Sequence, residues 1–112
     1  MNRMHAFAFL LLGAFALTFP LSMKAADAAG LFKDKCVSCH GADGSGKTAA
    51  GKKMETPDLH SKQFVEMSDK DMFETIARGT RHKKYPHSFL YTGLNETQIN
   101  GLVAHVRELQ KK

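Results

Sequence analysis

The sequence predicts an all-α fold, and three observations carry that prediction. Apolar residues recur at helical spacing in three separate stretches, capping residues and a glycine stop bracket two of them, and no run alternates apolar and polar residues as a half-buried strand does. The first helix is expected from about Asp27 to Val37, where Leu31, Phe32 and Cys36 lie near one face. It breaks at GADGSG, residues 41–46, a cluster of turn formers. The second opens at Ser68, an N-cap with Asp71 three residues on. It carries Met72, Phe73, Ile76 and Ala77 on its apolar side and stops at Gly79. The third has Asn95 as N-cap and Gln98 at the matching third position, then Ile99, Leu102, Val103, Val106 and Leu109 at helical spacing. Long connections separate the three, and in a small domain such loops are usually functional or wrapped around something.

The chain has 112 residues, room for one small domain. Its first thirty residues differ from the rest. Arg3 opens a short basic region, AFAFLLLGAFAL (residues 6–17) is an unbroken apolar or small run, and Pro20 and Ser22 lead into AADAAG. This pattern is that of a secretory leader, expected to span residues 1–25 or to end as late as Ala28. An uncleaved anchor is the competing reading, since residues 6–23 are at the short limit for a bilayer span. Gly13 and Pro20 interrupt the stretch and favour cleavage, leaving a domain at residues 26–112 with no membrane span. In either case the functional domain is exported. A domain of that size is close to where a core alone is marginal, so a further stabiliser is expected.

The sixteen basic and eleven acidic side chains include Arg3 and Lys24 in the leader, so the remaining domain is only mildly cationic. The basic residues are not interleaved with aromatics as on a nucleic-acid platform, and no nucleic-acid partner is expected. No repeat, low-complexity tract or second domain is visible.

The first helix ends in CVSCH, Cys36 to His40, the Cys-x-x-Cys-His pattern of covalent haem attachment. Two thiols one helical turn apart can each bond a vinyl-derived carbon, and the adjacent imidazole is carried under the iron. A thioredoxin-like dithiol would want a βαβ surround, and a zinc site two more ligands at suitable spacing. Neither is evident.

The chain resembles the small class I monohaem cytochromes c of bacterial periplasms. The likeness lies in GLFKDKCVSCHGADGSGK (30–47), in Pro57 to Leu59, in MSDKDMFETIARG (67–79) and in LNETQINGLVAHVREL (94–109). The resemblance implies three or more helices wrapped around one covalently attached haem, the first and last helices crossing. Gly30 and Phe32 would pack against the Val103 to Leu109 stretch. It also implies Cys36 and Cys39 as attachment points, His40 as proximal ligand, and Pro57 presenting its carbonyl to the proximal imidazole N–H. The haem itself would be the missing stabiliser.

In that family a methionine before the last helix usually binds iron opposite the histidine, and here the loop RHKKYPHSF (81–89) contains none. Aligning on Pro86 puts Tyr85 in the methionine's place. Counting back from the last helix reaches His87, and counting forward from Gly79 reaches His82 or Lys83. A phenol with a pKa of ~10 is a poor neutral-pH ligand, whereas neutral imidazole is a good one. A distal histidine is therefore expected, His87 ahead of His82, with Met54, Tyr85 and an open position as alternatives. Met72 reads as core, Met67 as the apolar residue preceding a cap, and His60 and His105 as packed or solvated histidines.

The expected function is one-electron transfer by an exported, periplasmic, monomeric carrier, not an enzyme, working with redox partner proteins. Arg78, Arg81, Lys83 and Lys84 would steer an acidic partner, or else form an ordinary solvated loop. The alternative function is a haem with an open distal site that binds small gases or acts weakly on peroxide.

Overall fold

The computed structural model describes residues 24–82 and 87–112. Within them the chain forms six α-helices and one 3₁₀ turn, with no strand. The helices are α1 (Ala25–Lys35), α2 (Val37–His40), α3 (Ala49–Lys53), α4 (Lys62–Val65), α5 (Asp69–Arg78) and α6 (Glu96–Gln110), and the 3₁₀ turn is Phe89–Tyr91. The expected all-α class is what is observed. Most of the expected leader, residues 1–23, lies outside the described residues, as do Lys83, Lys84, Tyr85 and Pro86. Among the described residues no helix is long and apolar enough to cross a membrane.

Two helices begin where their caps predict. The Ser68 hydroxyl accepts from the Asp71 N–H at 3.1 Å, and α5 closes on Gly79 in the left-handed region at φ 71°. Asn95 and Gln98 form a reciprocal capping box, both hydrogen bonds 2.9 Å long. Such caps satisfy N–H groups that the helix cannot, each worth about 1 kcal/mol.

The first helix differs from expectation. It ends at Lys35, and Cys36 at φ −121° interrupts it before α2 restarts. The interruption is one residue deep: the Cys36 N–H still bonds the Phe32 carbonyl at 2.8 Å, and the His40 N–H bonds the Cys36 carbonyl at 2.9 Å. Helical periodicity runs across such a break almost unchanged, which is why the pattern reads as one helix. Gly30 is also not the packing residue expected of it. It is exposed, and a β-carbon there would meet nothing within 4 Å. The small residue that α1 buries is Ala28, 4% exposed, one turn before Phe32 on the same face.

The core joins α1, α5, α6 and the loop at Leu59: Phe32, Leu59, Met72, Leu102, Val103, Val106 and Leu109 form one cluster, with Met67 and Phe73 packed on it. Fully burying side chains of this size stabilises by about 1.5–3 kcal/mol each relative to exposure. α1 packs on α6 more extensively than any other pair of described helices, and the Phe32 ring lies 4.8 Å from that of His105. Met72 is core, as expected, and Met67 joins the same cluster from just before the cap.

The end of α6 is tied to the chain between Asp58 and Asp69. The His60 ring bridges the Asp58 carboxylate, 2.8 Å from Nδ1, and the Leu109 carbonyl, 3.0 Å from Nε2. Gln110 donates to the Leu59 carbonyl at 2.8 Å. Arg107 donates to Asp69 at 2.8 Å, to the Phe64 carbonyl at 3.1 Å, to the Gln110 side chain at 2.9 Å and to the Met67 carbonyl. His60 is therefore a structural bolt more than a merely solvated residue.

Candidate metal centre

Three imidazoles meet. One potential ligand atom each from His40, His82 and His87 lies within 4.8 Å of the others, and all three residues are half-buried. Two nitrogens on opposite sides of one metal, each bonded at ~2.0–2.1 Å, stand ~4 Å apart, so this spacing suits a shared ion.

His40 closes α2, and α2 is fixed from outside by the segment that follows it. Thr48 caps α3 by accepting the Gly51 N–H at 2.8 Å, and its own hydroxyl lies 2.7 Å from the Ser38 carbonyl and 3.2 Å from that of Cys39. Gly51 is the point of closest approach: a β-carbon there would collide with the backbone oxygens of Cys39 and Gly46. Gly46 in turn donates its N–H to the His40 carbonyl at 2.7 Å. α3, invisible to the sequence patterns, is thus the brace that holds CVSCH.

The His40 Nδ1 is buried and has no hydrogen-bond partner. Burial, followed by the nearby His87 and His82, pushes its pKa down to about 4, which keeps the ring neutral and its lone pair available. The expected bond from this atom to the Pro57 carbonyl is not made. That carbonyl lies against Gly46, 3.2 Å from where a β-carbon would stand, because residues 56–57 pack directly on the Gly46 backbone. Cys36 and Cys39 are half-buried free thiols, and burial pushes the Cys36 thiol up to about 12, leaving it protonated.

His87 lies next to His40, its ring centroid 6.3 Å away. Its Nδ1 lies 3.1 Å from the Thr75 carbonyl on α5, and Phe89 stacks on its ring at 5.3 Å. A carbonyl can only accept, so Nδ1 carries the proton and Nε2 the lone pair. Burial, then His82, lowers the pKa of His87, while the bond to Thr75 opposes that shift. His82 meets the His87 ring edge-on at 4.3 Å.

The structure therefore brings together His40, His82 and His87 of the expected site residues. Tyr85 falls outside the described residues, so its expected place is not on view. Met54 is half-buried and closes α3, its N–H on the Ala50 carbonyl at 2.9 Å. His105 stays on the α6 face against Phe32. Two of the four expected steering cations are already paired: Arg78 with Glu74 at 2.6 Å and Arg81 with Asp71 at 3.0 Å. The positioning residues Thr48, Gly51 and Thr75 were not singled out by sequence reasoning. Only Thr48, a capping residue before AAG, left a local signal.

An all-α chain with two thiols on one turn, a neutral histidine beside them and further imidazoles opposite defines a covalent-haem protein. The family model for cytochrome c matches residues 25–110, and the chain belongs to that family. Comparison with curated proteins returned no match. Membership brings covalently bound haem c with its iron, electron transfer as the activity, and redox partner proteins. The residues present fit the group: two thiols stand beside His40, and His40, His82 and His87 bring together imidazole nitrogens, the donors that haem iron accepts.

Proposed function

We propose that this chain is an exported, periplasmic one-electron shuttle with a single haem c, joined through Cys36 and Cys39 and ligated by His40 and His87. The observation that carries this reading is the orientation of His87: with Nδ1 committed to Thr75, its Nε2 is the free donor of the cluster formed with His40. The haem supplies an iron that changes oxidation state by one electron with little rearrangement when six-coordinate. The chain's own residues do the rest. Thr48 and Gly51 hold the CVSCH turn, Thr75 orients His87, and Phe89 covers the ring of His87 and limits water there.

Export is supported by the leader-like first 25 residues and monomeric action by the small size of the domain. The partner we propose is acidic. With Arg78 and Arg81 paired to α5, attraction would fall on unpaired lysines such as Lys52 and Lys53 on α3, beside the CVSCH turn, and electron exchange would slow as salt rises.

Mass spectrometry of the mature protein tests attachment and export together: one haem added to a chain shortened at its N-terminus is expected, and a Cys36→Ser, Cys39→Ser variant should lose it. A redox titration should follow a one-electron curve. A chain carrying no covalent haem would overturn the proposal.

A further inference from the structure

Two histidines stand opposite His40, while a haem iron held by His40 has one position left for them. We propose that His82 is a second iron-binding residue, exchanging with His87 at that position. The inference rests on the histidine ligation proposed above and assigns a role to the imidazole which that reading leaves over.

Both residues are hung from α5, one helical turn apart. The Thr75 carbonyl accepts a hydrogen bond from the Nδ1–H of His87, and Asp71, four residues earlier, holds Arg81 at 3.0 Å, directly before His82. Arg81 sits in the left-handed region at φ 64°, a conformation unfavourable for a non-glycine residue. The ion pair with Asp71 and the His82 N–H on the Gly79 carbonyl, 3.2 Å, hold the turn that places His82 beside His87. The Thr75 hydroxyl donates to the Asp71 carbonyl at 2.8 Å, joining the two anchor points. A ligand atom of His82 is thereby within the same 4.8 Å of its two neighbours as that of His87.

Exchange breaks the bond between iron and His87 Nε2 and forms one to a ring nitrogen of His82. One nitrogen lone pair on the iron replaces another, so the oxidation state of the iron does not change. His87 is the resident ligand because Thr75 fixes its tautomer. His82 fills the position when His87 leaves, which keeps small gases and peroxide from reaching the iron.

The test uses the haem-loaded protein, its His87→Ala and His82→Ala variants, and the double variant. Ferric spin state is read by resonance Raman and paramagnetic resonance, and carbon monoxide binding is timed on the ferrous forms. Each single variant is expected to stay six-coordinate and low-spin, and the double variant to turn high-spin and bind carbon monoxide fast. A high-spin His87→Ala protein that binds as fast as the double variant would overturn the exchange while leaving His87 ligation intact. A double variant that stays low-spin would overturn both readings. Should His87→Ala fail to load haem, the parent and His82→Ala decide. Carbon monoxide binding several-fold faster without His82 supports exchange, and equal rates overturn it.

Discussion

The Nδ1 of His87 stands 3.1 Å from the carbonyl oxygen of Thr75, a bond that leaves the lone pair on the other ring nitrogen of a residue clustered with His40 and His82. If that nitrogen is the distal ligand, His87→Met replaces an imidazole by a thioether. Methionine opposite histidine raises the potential of a haem. Voltammetry of the variant should show a clearly higher potential than the parent, with a far-red sulfur-to-iron band. In a His82→Ala background, where no second imidazole can take the position, an unchanged potential would remove His87 from the iron.

Gly51 and Gly30 make a matched pair. A β-carbon at Gly51 would meet two backbone oxygens that cannot withdraw, so Gly51→Ala is expected to destabilise by about 1–3 kcal/mol and to lower haem loading. At exposed, helical Gly30 the added methyl meets nothing, and Gly30→Ala should stabilise by about 0.5–1 kcal/mol. Denaturant midpoints of the two variants should move in opposite directions.

This contrast also marks what the sequence could and could not show. Ser68, Gly79, Asn95 and Gln98 act within one helix turn of themselves, and their spacing alone located α5 and α6. CVSCH was equally local. Gly51 and Arg107 act on backbone that is close only after folding, so nothing near them in the chain announces the role. On the distal side the sequence offered only candidates, His87 and His82 with Met54, Tyr85 and an open position. The contact that favours His87 in the reading proposed above is a carbonyl of α5 twelve residues away, which has no side-chain signature.

His60 couples the end of α6 to pH. Its pKa is raised, first by the hydrogen bond with Asp58 and next by the Leu109 carbonyl. Asp43 adds to the raising, and Lys47 faces Asp58. A raised folded-state pKa means that stabilisation is fully present below the unfolded value of ~6.5 and is lost as pH rises through the folded value. The half-buried His40, His87 and His105 are shifted the opposite way, so the difference between the parent and His60→Gln isolates the bolt. Thermal melts at several pH values should show the parent ahead of the variant in mild acid, the gap narrowing above neutrality. A constant gap would contradict the coupling.

Arg107 holds one carboxylate, one side-chain amide and two or more backbone carbonyls with one planar group. Lysine keeps the charge but has no such fork. Arg107→Lys is expected to cost about 1.5–3 kcal/mol, the range of a hydrogen bond to a charged group, measured by chemical denaturation. A loss no larger than that of an exposed ion pair would show that charge alone matters there.

The most direct test of the account is the optical and resonance Raman spectrum of the unaltered haem-loaded protein, ferric and ferrous, with carbon monoxide added. Two imidazoles on the iron predict a six-coordinate, low-spin spectrum in both oxidation states, no far-red sulfur-to-iron band, and slow carbon monoxide binding. A sulfur band, or immediate carbon monoxide binding to a five-coordinate iron, would contradict it.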